Sequence, residues 1–172
     1  MPRKIYNRGA GAGNRRRLRR LVSEGPPPGL LAYDGDLPVG WVSFGPRTDF
    51  PVLENSRVLK RVDERPVWSV VCLFVDRRYR HQGVTVGLLG AAVEHARRRG
   101  ARWIEGYPID PAAGPIPAAF AFTGLAAAFL QAGFREVARR SPTRPIMRRT
   151  LRPRRRALTP DPSPARRERG KG

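Results

Sequence analysis

The stretch Leu73–Leu89, LFVDRRYRHQGVTVGLL, constrains this chain more than any other. It starts as a β-branched and aromatic run, crosses an arginine-rich turn, and reaches Gly83 at the mouth of a segment with helical periodicity. The pattern predicts a strand, a tight turn and a helix over residues 83–99. The helix carries Val86, Leu89, Val93 and Ala96 on one stripe, Glu94 spaced to pair with Arg98, and Gly100 as a left-handed cap. N–H groups at a helix start have no intrahelical acceptor and lie at the positive end of the helix dipole. A strand feeding a glycine turn into a helix is therefore an anion site, and the neighbouring arginines deepen its positive potential. Without a Cβ, residue 83 lets a phosphate come close to the main chain.

The flanking segments read as alternating strands and helices. Val67–Val75 is nearly all apolar and is expected as a central strand buried on both faces. Leu30–Tyr33 and Pro38–Phe44 are expected to pair through a hairpin turn at Asp34-Gly35. Residues 45–66 form a long connection with prolines at 46, 51 and 66; Phe50–Leu59 is a short helix candidate entered through Asp49 and Pro51. Connections of this length often serve as lids or binding loops. Trp103–Tyr107 is the next strand, followed by an irregular stretch over 108–122. A helix over Gly124–Gln131 is expected to be capped by Thr123 and stopped by Gly133. Phe134–Val137 and Ile146–Leu151 would close the sheet.

Near the N-terminus, Asn14–Val22 predicts a basic helix with Leu18, Leu21 and Val22 at i, i+3, i+4 spacing and Asn14 as its cap. The proline run Gly25–Gly29 breaks it.

At 172 residues the chain fits one domain. No apolar run approaches the roughly 18 residues of a membrane span, no secretory signal is evident, and no membrane partner is expected. Cys72 is the only cysteine, which precludes an intrachain disulfide and fits a cytoplasmic location. No metal-ligand pattern stands out. Of the net charge of +20, residues 1–20 and 148–172 contribute +8 each, so the central region is close to ordinary. The division expected is a basic segment over 1–28, a folded domain over 29–151 and a disordered basic tail over 152–172. The basic ends predict weak, salt-dependent contact with polyanions.

The run Val75–Thr85, VDRRYRHQGVT, resembles the acyl-CoA-binding motif of the GNAT superfamily of N-acetyltransferases, V-x-P-x-x-R-x-x-G-V/I-G/A/S/T. Ala132-Gly133-Phe134 resembles the end of that family's second signature, where a helix closes on Gly-Phe. The resemblance covers about residues 29–149. It implies an α/β fold: a single GNAT-like domain with a central mixed, mostly antiparallel sheet flanked by helices. The N-terminal elements are shortened, since the family usually begins with a strand and two helices. Ile5-Tyr6 is at most a vestige of that strand.

The resemblance further implies transfer of an acetyl group from acetyl-CoA to an amine of a small molecule or peptide, without a metal. Main-chain groups at Leu73 and Val75, with Phe74 between them, would bond the pantetheine arm. The N–H groups of Arg80, His81, Gln82, Gly83, Val84 and Thr85 would surround the diphosphate, His81 serving through its backbone. The family often places a tyrosine acid four residues before the Gly-Phe glycine; here that residue is Phe129, which has no proton to give. Glu105 and Tyr107 alternate onto one face of their strand and are the candidates for proton transfer, with Asp110 behind them. Asp63 and Glu64 are acids that can attract a cationic amine. Two other functions compete: a GNAT-fold protein that binds acyl-CoA with little turnover, as Phe129 suggests, and a basic nucleic-acid-binding protein. The basic runs Arg15–Arg20 and Arg152–Arg156 contain no aromatic residue for base stacking, which counts against the latter.

Overall fold

The computed structural model describes residues 11–111 and 118–152, with backbone alone at 118–120. Ile5-Tyr6 and the tail beyond Arg152 lie outside the described residues. Along the chain run α1 (Ala12–Glu24), β1 (Gly29–Asp34), β2 (Leu37–Pro46), a 3-10 turn (Arg47–Asp49) and α2 (Pro51–Glu54). Next come β3 (Trp68–Val75), a 3-10 turn (Arg77–Tyr79), α3 (Val84–Arg98) and β4 (Trp103–Gly106). A 3-10 segment (Ala118–Thr123), α4 (Ala126–Gln131), β5 (Arg135–Arg139) and β6 (Pro145–Thr150) complete the order. The six strands form one sheet in the order β1-β2-β3-β4-β6-β5, with β3 and β4 parallel and every other pair antiparallel. This is the mixed, mostly antiparallel α/β sheet that the family resemblance implies.

The β1–β2 hairpin turns at Gly35, whose φ of 57° suits a residue without Cβ. Helix α3 lies across the sheet and buries Leu88, Leu89, Ala92, Val93 and Ala96. These pack with Val42, Phe44, Val70, Leu73, Ile104, Phe129, Phe134 and Met147 into the main core. Gly40 leaves room for the helix: a Cβ there would sit 3.0 Å from Leu88 Cδ1. A smaller cluster of Leu53, Tyr107 and Ile146, with Phe50, Leu59, Val62, Val71 and Ala138, covers other sheet residues beneath the 47–66 connection.

Several local expectations are corrected. Helix α1 begins at Ala12 with Gly11 as its cap residue, so Asn14 is inside the helix. Only Pro51–Glu54 of the Phe50–Leu59 candidate is α-helical, because the segment turns back to present Leu53 and Leu59 to the sheet. Glu94 pairs with Arg97, at i+3, rather than with Arg98. Thr123 does not cap α4; Leu125 occupies the cap position, and the Thr123 hydroxyl accepts a hydrogen bond from Arg144 at 3.1 Å. Strand β3 is not buried throughout: Phe74 is 57% exposed. The glycine stops do hold, with Gly100 at φ 82° and Gly133 at φ 81°.

Candidate functional site

The strand β3 loses its neighbour halfway along. Trp68, Ser69 and Val70 pair with Ile104, Glu105 and Gly106 of β4, and the pairing ends there. Beyond that point Ile109 bonds elsewhere, its N–H donating to Gly124 O and its carbonyl accepting from Ala126 N–H, both at 2.9 Å. The two strands therefore splay apart after Val70 and Gly106.

A bulge in β3 lies beside the divergence. Ser43 pairs with Cys72 and Phe44 with Val70, leaving Val71 as the extra residue. The extra residue resets the alternation, so Val70 and Leu73 both join the main core while Val71 packs in the second cluster. Asp76 N–H donates to Val39 O at 2.9 Å, which fixes the antiparallel phase at the end of β3. By that phase the main-chain groups of Phe74 point toward β2, and those of Leu73 and Val75 point into the splay. The Val75 carbonyl already accepts from Arg80 Nε at 3.2 Å. The Val75 N–H and both Leu73 groups stay open on that side among the described residues.

The turn that follows is held by its own side chains. Asp76 Oδ1 accepts from Arg78 N–H at 3.0 Å and caps the 3-10 turn, and Gln82 Nε2 donates to Arg78 O at 2.8 Å. His81 and Gly83 both adopt left-handed backbone, at φ 61° and 82°. That conformation is strained for histidine, and such strain collects at functional turns. The first bond into α3 runs from Gly87 N–H to Gly83 O at 3.0 Å. The N–H groups of His81, Gln82, Gly83, Val84, Thr85 and Val86 have no acceptor among the described residues. Arg80 N–H, by contrast, is loosely spent on Arg77 O at 3.5 Å. A Cβ at Gly83 would meet nothing within 4 Å, so the approach to these amides is open.

The vertex of the splay is fixed from two sides. On one, the Phe129 ring covers Gly106, and a Cβ there would lie 2.0 Å from Phe129 Cε1. On the other, Glu105 and Tyr107 are both about 1% exposed and belong to a buried polar network. The Tyr107 hydroxyl accepts from Arg47 Nη1 at 2.7 Å, lies 2.8 Å from Ser69 Oγ and donates to Glu105 Oε2 at 3.1 Å. Glu105 Oε1 accepts from Arg148 at 2.6 Å, and Arg148 also donates to Asp63 at 2.7 and 3.0 Å. Arg47 continues to Glu54 Oε1 and to Leu59 O at 2.7 and 2.8 Å, and Arg61 closes on Glu54. The buried Arg47 and Arg148 thus share the buried Glu105, and the partly exposed Glu54 and Asp63 balance the remaining positive charge. Burial, with the Glu105 charge adding to it, raises the Tyr107 pKa well above the ordinary phenol value.

The structure brings Leu73, Val75 and the 81–86 amides to the same end of the sheet, where β3 leads into α3. Phe74 is the exception within the set: its side chain is largely exposed and its main chain is committed to β2. Asp63 is not a free acid for an amine, since Arg148 holds it, and Asp110 accepts from Arg139 at 2.9 Å. Sequence reasoning passed over Arg47, Ser69 and Arg148. The Arg47–Tyr107 and Asp63–Arg148 contacts join residues 60 and 85 positions apart, with no local pattern to announce them. The 47–66 connection is tied down rather than loose: Arg140 adds bonds to Lys60 O at 2.6 Å and Arg61 O at 2.9 Å. Among the described residues no cluster suited to a metal ion is found, and no helix is long and apolar enough to cross a membrane.

Solved structures share this fold. The N-acetyltransferase PaiA of Thermoplasma acidophilum, solved with coenzyme A, is similar over 87% of this chain and 80% of its own, at 12% identity and a TM-score of 0.51. The ribosomal-protein-alanine N-acetyltransferase of Brucella melitensis matches over 80% and 76%, at 22% identity and a TM-score of 0.51. A chain of the NatC complex bound to Gag peptide and CoA matches over 78% and 77%, at 14% identity and a TM-score of 0.50. No curated protein sequence matches significantly. The family model described as Acetyltransferase (GNAT) family matches residues 4–112, more than half of the sequence. With the splayed β3–β4 pair and the glycine turn into α3, this places the chain in the GNAT acetyltransferase family.

Proposed function

We propose that the protein transfers an acetyl group from acetyl-CoA to the amine of a small molecule or peptide. The observation that carries the reading is the row of unspent amides from His81 to Val86 beside the open edge of β3. In this reading those amides and the α3 dipole bind the diphosphate, with Arg80 N–H at the margin of the set and the Thr85 hydroxyl adding a contact. The Leu73 and Val75 main chain hydrogen-bonds the amide-rich pantetheine as an added strand would. Phe74 contributes only its place between them. The thioester then lies at the vertex, near Val70 and Gly106.

At the vertex the amine nitrogen bonds to the thioester carbonyl carbon, and the C–S bond breaks as the tetrahedral oxyanion collapses. The Leu73 N–H, nearer the vertex of the two open donors, stabilises that oxyanion, leaving the Leu73 carbonyl and the Val75 N–H for the pantetheine. With the Ser69 hydroxyl turned away from it, the Tyr107 oxygen takes the nitrogen's surplus proton as its own proton moves to Glu105 Oε2, 3.1 Å away. The departing thiolate takes a proton from water, since Phe129 has none to give. The same phenylalanine favours the second reading, a protein that holds acyl-CoA and turns it over slowly.

Acetyl-CoA raising the melting temperature, followed by CoA release in the presence of an amine panel, tests the proposal. Stabilisation with release supports acetyl transfer, and stabilisation without release supports the binding protein. No stabilisation removes both.

A further inference from the structure

Helix α1 carries an apolar stripe that the described residues leave largely exposed. None of its 13 residues is buried, and Leu18, Leu21 and Val22 are 52%, 60% and 58% exposed. At 100° per residue these three occupy a sector of about 100°, which Asn14 shares one turn toward the N-terminus. Arg15 and Arg17 flank the sector, while Arg16, Arg19 and Arg20 fill the opposite side. The helix has one acid, Glu24, and Arg20 Nε holds it at 2.7 Å.

Core packing does not account for three exposed aliphatic side chains on an arginine-rich helix. A nucleic acid would engage the arginines but leave the aliphatic stripe in water, and the helix has no aromatic ring to stack on bases. An interface of lipid headgroups and acyl chains accepts both parts. The aliphatic side chains enter the acyl boundary, and the flanking guanidinium group of Arg15 stays among phosphates. The remaining arginines lie within a Debye length of the anionic surface.

We infer that α1 is a surface-docking helix for anionic lipid bilayers, joined to β1 through the Gly25–Pro28 link. This departs from the expectation that the chain has no membrane partner. It is independent of the reading of the acyl-CoA site. The affinity is expected to be modest and reversible, because three aliphatic side chains bury little area.

The test uses the full chain and vesicles of phosphatidylcholine with 30% phosphatidylserine, against pure phosphatidylcholine and against a poly(U) oligonucleotide. The decisive variant is Leu18→Ala/Leu21→Ala/Val22→Ala, which keeps every charge. Alanine favours helix and none of these side chains is buried, so the fold should survive; unchanged thermal unfolding verifies it. The expected result is co-sedimentation with the anionic vesicles only, weakened at least tenfold in the variant, with poly(U) binding unchanged. Equal binding of variant and wild type to the anionic vesicles would overturn the inference, because the basic ends alone would then explain it. So would absence of vesicle binding, or a loss of poly(U) binding in the variant.

Discussion

The Phe129 ring fills the space that a side chain on Gly106 would need, its Cε1 2.0 Å from the position of a Cβ. Gly106 is the last β4 residue paired with β3, so this contact sits where the strands begin to part. An apolar ring and a missing side chain thus shape the vertex on the side of the main core. Tyr107, one residue on, belongs to the buried polar network.

Gly106→Ala should therefore destabilise the domain by about 1–3 kcal/mol, the usual range for overpacking a filled core. Denaturant unfolding measures it. A variant as stable as wild type would mean that the vertex is looser than this contact implies.

Gly83 separates backbone strain from ligand contact. At φ 82° with open space around a Cβ, Gly83→Ala should cost about 1–2 kcal/mol through the left-handed conformation alone. Gly83→Asp adds a negative charge among amides proposed to hold a diphosphate. Isothermal titration should show acetyl-CoA affinity at least tenfold weaker in the aspartate variant than in the alanine variant. Equal affinities would place the phosphates elsewhere.

Arg47 is the hub of the buried network, bonding Glu54, Leu59 O and Tyr107. Arg47→Leu leaves Glu105 and Tyr107 with a lost partner inside the fold, and should cost about 3–5 kcal/mol in equilibrium unfolding. A loss below 1 kcal/mol would show that water replaces the guanidinium easily.

Tyr107→Phe tests the proposed proton path. It should lower kcat at least tenfold while acetyl-CoA affinity stays within twofold, and the pH profile of kcat should change shape. Unchanged turnover would leave Tyr107 with a packing role.

Stability should depend on pH through two groups. His95 packs against Phe44 and Trp68, and its pKa is lowered by burial first and by the Arg99 and Arg98 charges second. Its neutral form is favoured in the fold, so its contribution is present above the unfolded histidine value of about 6.5 and is lost as pH falls. Asp63 is held low by hydrogen bonds from Arg148, so its contribution disappears only below the unfolded carboxylate value of about 3.9. Melting temperature should fall between pH 7 and 5.5 in the wild type, and His95→Phe should flatten that slope. An identical slope in the variant would assign the loss to other groups.

What the sequence disclosed follows from locality. The strand, glycine turn and helix over 67–100 are encoded in adjacent residues, by apolar periodicity and by left-handed glycines at 83 and 100. The unspent amides follow from the same local rule. Neither the splay nor the Val71 bulge beside it is legible in adjacent residues, because both depend on partners far along the chain. Tyr107 and Glu105 were singled out by alternation, but their burial depends on Arg47 and Arg148, which local spacing does not connect to them. Thr123 was misjudged for a related reason: its hydroxyl is drawn to Arg144 instead of to the helix.

The most direct test of the central claim follows the backbone amide resonances of His81–Val86 while the full-length protein is titrated with acetyl-CoA at physiological salt. Saturable shifts centred on those six amides, together with Leu73 and Val75, are predicted. Saturable binding that leaves them unmoved and shifts resonances elsewhere would contradict the account.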